Sequence, residues 1–278
     1  NYLDLLADIK QVVLDKTGTL TAGVFEVQAL NWVGPRPAEE LLPYVNLLES
    51  HSSHPVASAI RNYVGAVDYS LKVADVTEVP GMGLAGTAEG KSLLVGNFRL
   101  LDKYAIPYAA DASVYTVIAV AYAGVFQGYL TIADRIKEDA QDAVNELHAL
   151  AVELTMLSGD KNSVVQDVAQ QLQVDRAFGD LLPADKVNKL QELKREGLKV
   201  AFVGDGVNDA PVVALSDVGI AMGGLGSDAT IETADVVIQD DKPSKIPMAI
   251  RIAKKTKQVV WQNISLAFAV KALVLILG

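Results

Sequence analysis

Cysteine is absent from all 278 residues, which excludes a disulfide framework and thiolate metal sites and fits a reducing compartment. Positive charge is scarce as well: 24 lysines and arginines stand against 34 aspartates and glutamates, for a formal net charge of −10. With no basic stripe interleaved with aromatics to offset it, that balance argues against nucleic acid as a partner. No signal peptide opens the chain, and the start at Asn1-Tyr2-Leu3-Asp4 reads as if something preceded it. Internal repeats and low-complexity tracts are also missing. What is plentiful is apolar material, 50% of the residues, ample for the core of one large domain or two moderate ones.

Much of the chain alternates strand and helix, the pattern of a doubly wound α/β domain with a parallel sheet. Strands are expected at Gln11 to Leu14, Glu153 to Leu157 and Lys199 to Val203, with shorter ones at Val218 to Ala221 and Val236 to Ile238. Helices are expected over Glu138 to Leu150 and Ala184 to Glu196. The first three strands run into Asp15, into Ser158-Gly159-Asp160 and into Gly204-Asp205-Gly206-Val207-Asn208-Asp209. Right-handed crossovers place these three strand ends along one edge of the sheet, where such folds bind ligands.

The stretch from about Ala22 to Phe126 breaks that rhythm. Helical segments near Ala38 to Ser50 and Pro55 to Val64 are followed by short, glycine-rich β-like pieces, which predicts a separate α+β domain inserted into the first. The expected division is 1–23 with 127–243 for the α/β domain, 24–126 for the insert, and 244–278 for a linker helix and the start of a membrane helix. Over Ile264 to Leu277 the chain reads as an apolar run broken only by Lys271, about two-thirds of the ~20 residues that a span needs. Lys254, Lys255 and Lys257 just upstream favour the cytoplasmic side for that end.

Asp15 opens Asp15-Lys16-Thr17-Gly18-Thr19-Leu20-Thr21. Aspartyl-nucleophile phosphohydrolases commonly carry a second aspartate two places on, as acid to the leaving group and base to the attacking water. Thr17 cannot move that proton, so an aspartyl-phosphate formed at Asp15 should be long-lived. Attack by Asp15 on an anionic phosphoryl group requires offsetting charge and preorganised donors. Asp205 is placed to share a Mg²⁺ with Asp15, Lys186 to bring an ammonium, and Ser158 and Gly159 to offer a hydroxyl and a backbone N–H.

This heptad resembles the phosphorylation signature of the P-type ATPases, ion pumps built on a haloacid-dehalogenase-like core. Ser158-Gly159-Asp160 is similar to that family's Thr-Gly-Asp. Thr131 to Lys137 resembles a hinge motif that often ends in arginine, and Gly204 to Pro211 matches the metal-coordinating loop. The resemblance implies Mg²⁺ at Asp15, the Thr17 carbonyl and Asp205, with Asn208 and Asp209 in support and Asp160 on the nucleotide side. In the insert, Glu49, His54-Pro55, Gly81-Met82-Gly83 and Gly96-Asn97 resemble the nucleotide-binding domain of the heavy-metal, type IB pumps. There ATP is held by Glu49, His54, Gly81, Gly83, Gly96 and Asn97; alone, a Gly-x-Gly or a His-Pro turn would say little. Asn263 and Lys271 on the apolar tail resemble the zinc, cadmium and lead exporters, in which the lysine is a counter-charge near the transported ion; the alternative is a lysine snorkelling to a headgroup.

The chain is thus expected to be the cytoplasmic catalytic part of a multi-pass pump in the cell membrane. Its expected partners are ATP, a soft divalent metal ion, membrane lipid, and the remaining transmembrane and actuator domains of the same pump. A free-standing phosphatase of the same fold is the alternative.

Overall fold

The computed structural model describes residues 2–109, 113–205, 209–223 and 228–277. The chain divides into two compact units, Asn1–Ala22 with Ile136–Gly278, and Gly23–Arg135. The insert therefore extends nine residues beyond the expected boundary at 126. The reason is local: Val125–Ile136 is a single 12-residue strand, paired from Val125 to Ile132 with Thr116–Tyr122, so the sheet cannot be cut at 126.

The first unit holds a six-stranded parallel sheet in the order Val236–Ile238, Val218–Met222, Val200–Gly204, Gln11–Asp15, Glu153–Leu157, Arg176–Phe178. The first strand in sequence lies centrally; the next two are added on one side and the last three on the other. The order thus reverses between Gln11–Asp15 and Val200–Gly204, the switch point at which doubly wound sheets open a crevice. Because Leu14 pairs with Val203 and Asp15 with Leu157, the three strand ends finish level.

Strand alternation separates two cores. Val12, Leu14, Leu154, Met156, Ala201 and Val203 face Ala140–Ala149 and Asn162–Leu172, whereas Val13, Leu157 and Phe202 face Pro183–Arg195 and Ala210–Leu215. Strands buried on both faces read as continuous apolar runs, and Val12-Val13-Leu14 is one.

Lys245–Leu277 is one helix of 33 residues, about 50 Å long. The expected separation of 244–278 from the α/β domain does not hold at its start: Ile246, Ile250 and Ala253 are buried in the first core. Two lysines reinforce that docking, Lys254 donating to the Leu150 carbonyl and Lys257 pairing with Asp8 at 2.6 Å. Beyond them the side chains are exposed, and this is the helix among the described residues that is long and apolar enough to cross a membrane.

The second unit is a six-stranded sheet in the order Thr21–Trp32, Val125–Ile136, Thr116–Tyr122, Lys91–Gly96, Gly83–Ala88, Val73–Val79. Ala38–Glu49 and Pro55–Val64 cover one face through Leu41, Val45, Leu48 and Ile60, which meet Leu93, Val95 and Val120. Phe98–Lys103 covers the other through Leu100 and Leu101 against Leu94 and Ala119.

If the first turns of the long helix belong to the α/β core, Ile250→Ala should cost about 2–4 kcal/mol through the lost side chain and the cavity left behind. Leu273→Ala, at a side chain 56% exposed, should leave the same detergent-solubilised unfolding transition within about 0.5 kcal/mol. Equal effects at both sites would count against this division of the helix.

Candidate active site

Asp15 ends the central strand and is 5% exposed. Its Oδ1 lies 2.5 Å from the Lys186 ammonium, which also reaches Asp209 Oδ1 at 2.8 Å. Lys186 stands in the first turn of Pro183–Arg195, a helix started by Pro183 and by the Asp185 carboxylate accepting the Leu182 N–H at 3.0 Å. Asp209 precedes Ala210–Leu215 and is 2% exposed. Asp205, half-buried, follows Gly204 at the end of the neighbouring strand.

The carboxylate oxygens of Asp15, Asp205 and Asp209 lie within 4.8 Å of one another. Burial and the Asp209 charge push Asp15 up to about 7, against the pull of Lys186. Burial and Asp209 likewise raise Asp205 to about 6, opposed by Lys137. Burial works to lower the Lys186 ammonium, but the Asp15 and Asp209 charges outweigh it and hold it above its ordinary value. Among the described residues only the Lys186 ammonium bonds these acids, with Lys137 acting on Asp205 from farther off, and an all-oxygen donor set of this kind suits a hard divalent cation. The acids therefore fit the expected metal site, with Asp209 closer to its centre than the supporting place expected for it.

The loop Lys16–Leu20 is shaped by Gly18, whose φ of +76° is left-handed and whose missing Cβ leaves room for the Asp205 carboxylate. Thr17 is exposed at the loop surface. Ser158 is buried; its Oγ accepts the Asp160 N–H at 3.1 Å, while Gly159 is exposed. Asp160, expected beside the nucleotide, pairs with the buried Lys16 ammonium at 2.7 Å and keeps a half-exposed carboxylate. Asn208, Gly206 and Val207 lie outside the described residues.

In the second unit, Glu49, His54, Gly81, Gly83, Gly96 and Asn97 all line one cavity of about 290 Å³. His54 caps Pro55–Val64, its Nδ1 accepting the Val56 N–H at 3.2 Å. Gly83 and Gly96 are cross-strand partners, and a Cβ on either would strike the other strand's backbone. Gly81 needs its left-handed φ of +68°, and its carbonyl accepts from Asn97 Nδ2 and Arg99, both at 2.9 Å. That leaves Asn97 Oδ1 buried without a partner at the cavity wall. Asn263 and Lys271 are exposed on the long helix, and no described acid or ligand atom converges on them.

Two participants escaped the sequence reading. Lys16 carries a charge at 2% exposure and is satisfied by Asp160, a link across 144 positions that no spacing announces. Asp241 lies in no recognisable motif, yet it meets Lys137, the last residue of the hinge-like stretch, at 2.9 Å.

Glu49 is 6% exposed, and burial, opposed by Arg61, pushes its carboxyl from near 4.5 up to about 7. Between those values the folded chain keeps a proton that the unfolded chain releases, so stability falls as pH rises across that window. Between pH 5 and pH 8 the native chain should lose about 3 kcal/mol relative to Glu49→Gln. Unfolding free energies with parallel pH profiles for the two proteins would contradict this.

A family model described as a haloacid dehalogenase-like hydrolase matches residues 9–217. The chain is 46% identical over its whole length to a zinc-transporting ATPase of Synechocystis sp. (strain ATCC 27184 / PCC 6803 / Kazusa), of which it covers 39%. To a cadmium, zinc and cobalt-transporting ATPase of Bacillus subtilis (strain 168) it is 43% identical over its whole length, covering 40%. A solved zinc-transporting PIB-type ATPase in its E2.Pi state superimposes with a TM-score of 0.86 at 29% identity, over 99% of this chain and 46% of that one. The chain spans about two fifths of the length of the curated relatives it matches. With a family model over residues 9–217, relatives at 43–46% identity along its whole length and a superposition over 99% of it, the chain belongs to the haloacid dehalogenase-like hydrolases and, among them, to the heavy-metal P-type ATPases.

Proposed function

We propose that this chain is the ATP-binding and phosphorylation part of a membrane pump that exports a soft divalent metal ion, zinc, cadmium or lead. One observation carries the reading: the buried Asp15, held by Lys186 beside Asp205 and Asp209 at the switch point, with threonine two residues on. ATP binds in the cavity of the second unit, with the buried Glu49 carboxyl and the Asn97 oxygen, unpartnered among the described residues, meeting its polar edges and the glycines admitting it closely. His54, whose Nδ1 is engaged by the helix cap, presents Nε2 to the ligand.

A carboxylate oxygen of Asp15 attacks the γ-phosphorus, the bond to the bridging oxygen of ADP breaks, and ADP leaves with that electron pair. Lys186 keeps Asp15 aimed and offsets the charge that builds on the phosphoryl oxygens. Asp15, the Thr17 carbonyl and Asp205 would hold Mg²⁺, with Asp209 adjoining; bound there, the ion supplies Lewis-acid charge stabilisation. Ser158 and Gly159 close the strand end beside Asp15, and the Asp160–Lys16 pair braces the loop from outside. Asp160, paired with Lys16, would stand near the nucleotide's phosphates.

The metal assignment is supported by the named activities of the relatives and by Asn263 and Lys271 on the helix that is long enough to cross a membrane. Lys271 would act there as a resident counter-charge to the ion. The two units would face the cytoplasm, and lipid together with the remaining transmembrane and actuator domains of the pump would complete the machine.

The test is to incubate the chain with Mg²⁺ and γ-labelled ATP, quench in acid and challenge with hydroxylamine. Acid-stable, hydroxylamine-labile label that disappears in Asp15→Asn is expected. Rapid release of phosphate from simple esters with no preference for nucleotide would make the protein a phosphatase and end the pump reading.

A further inference from the structure

Lys137 is the second residue of the first unit after the chain returns from the insert, and its side chain is 11% exposed. Its ammonium donates to the Gly18 carbonyl at 2.6 Å and to the Asp241 carbonyl at 3.0 Å, and meets the Asp241 carboxylate at 2.9 Å. All three of its donors are thereby used. Its own backbone N–H donates to the Leu20 carbonyl at 2.9 Å. Two residues on, the Asp139 carboxylate accepts the Ser244 N–H at 2.9 Å, immediately before the helix Lys245–Leu277. Segment 137–139 therefore grips two elements at once: the loop that follows Asp15, and the turn that leads into the long helix.

The grip falls where the loop has least freedom. A side chain at Gly18 would strike the Asp205 carboxylate, so that carboxylate and the Gly18 backbone are already in close approach. A displaced Gly18 must therefore displace Asp205 or break the bond to Lys137.

We propose that Lys137 is a positioning residue that ties the phosphorylation loop to the 241–244 turn, so that loop, Asp205 and the root of the long helix keep one register during phosphoryl transfer. The inference rests on Asp15 being the phosphorylated residue. Arginine keeps the positive charge and enough donors for the Gly18 and Asp241 acceptors, whereas a neutral apolar side chain of similar length has none to offer.

The test compares the wild-type chain with Lys137→Met, Lys137→Arg and Asp241→Asn, using two readouts. In hydrogen exchange, segments 16–21 and 240–245 should quicken together by about tenfold in Lys137→Met, less in Asp241→Asn, and stay near wild type in Lys137→Arg. In ATP-dependent labelling, Lys137→Met should slow acid-stable incorporation about ten- to hundredfold while KM for ATP stays within about twofold, with Lys137→Arg restoring the rate. Exchange that changes at one segment only, or a labelling rate unaffected by Lys137→Met, overturns the proposal. A wild-type chain that takes no label would instead defeat the reading of Asp15, and the exchange data would still decide whether the tie exists.

Discussion

Everything in the first unit is arranged around an electrostatic conflict: three carboxylates whose oxygens lie within 4.8 Å of one another at a buried sheet edge, with one ammonium bonded to two of them. Unpaired like charges in such a place cost several kcal/mol each. The raised titration of Asp15 and Asp205 expresses that cost. A site in this condition is predisposed to take up a cation, and the fold supplies the rigidity to keep it so. Asp15 and Asp205 project from adjacent central strands that are buried on both faces, and Asp209 and Lys186 come from helices packed on a single face of the sheet.

The second unit answers a different demand. Its cavity must accept a ligand close to the backbone, and the glycines are placed for that. Gly83 and Gly96 face each other across two strands too close for any Cβ, while Gly81 turns with a left-handed φ and has its carbonyl clamped by Asn97 and Arg99. The clamp has a chemical consequence, because it fixes the Asn97 amide with one N–H on the Gly81 carbonyl and its oxygen unpartnered among the described residues. A buried acceptor costs free energy unless a donor meets it. The expense is recovered when a ligand donor arrives, which makes the orphaned oxygen an element of recognition and not a flaw in packing.

Wherever local pattern carried the information, the sequence was legible. The run Val12-Val13-Leu14 announced a doubly buried strand, and Asp15 at its end announced an edge site. The glycine and histidine constellation of the insert gathers at one cavity because each member is fixed by its own turn or strand. The misreadings share another cause. The insert is expected to end at 126, where the α/β rhythm resumes in the sequence, but the strand there runs on to Ile136. Residues 244–278 were read by composition as a linker and span, while Ile246 and Ile250 pack into a distant core. Lys16–Asp160 and Lys137–Asp241 join residues more than a hundred positions apart, and a single sequence holds no signal for such pairs.

Thr17 deserves its weight in the chemistry because of what surrounds it. To hydrolyse an aspartyl-phosphate quickly, a water must lose a proton to a base poised beside it. Asp209 is close to Asp15 but is held by the Lys186 ammonium at 2.8 Å, and accepting a proton would weaken that ion pair. Asp205 is drawn into the prospective metal site. The remaining candidate by position is residue 17, and there the chain offers an exposed hydroxyl group with no useful basicity. On the proposed function, an acyl-phosphate at Asp15 would meet no free base among the described side chains of this unit, and its breakdown would depend on a group brought to it from elsewhere. A catalyst built to finish its reaction unaided would keep the second acid. Leaving it out suits a cycle in which the phosphorylated state has to persist until another part of the machine responds.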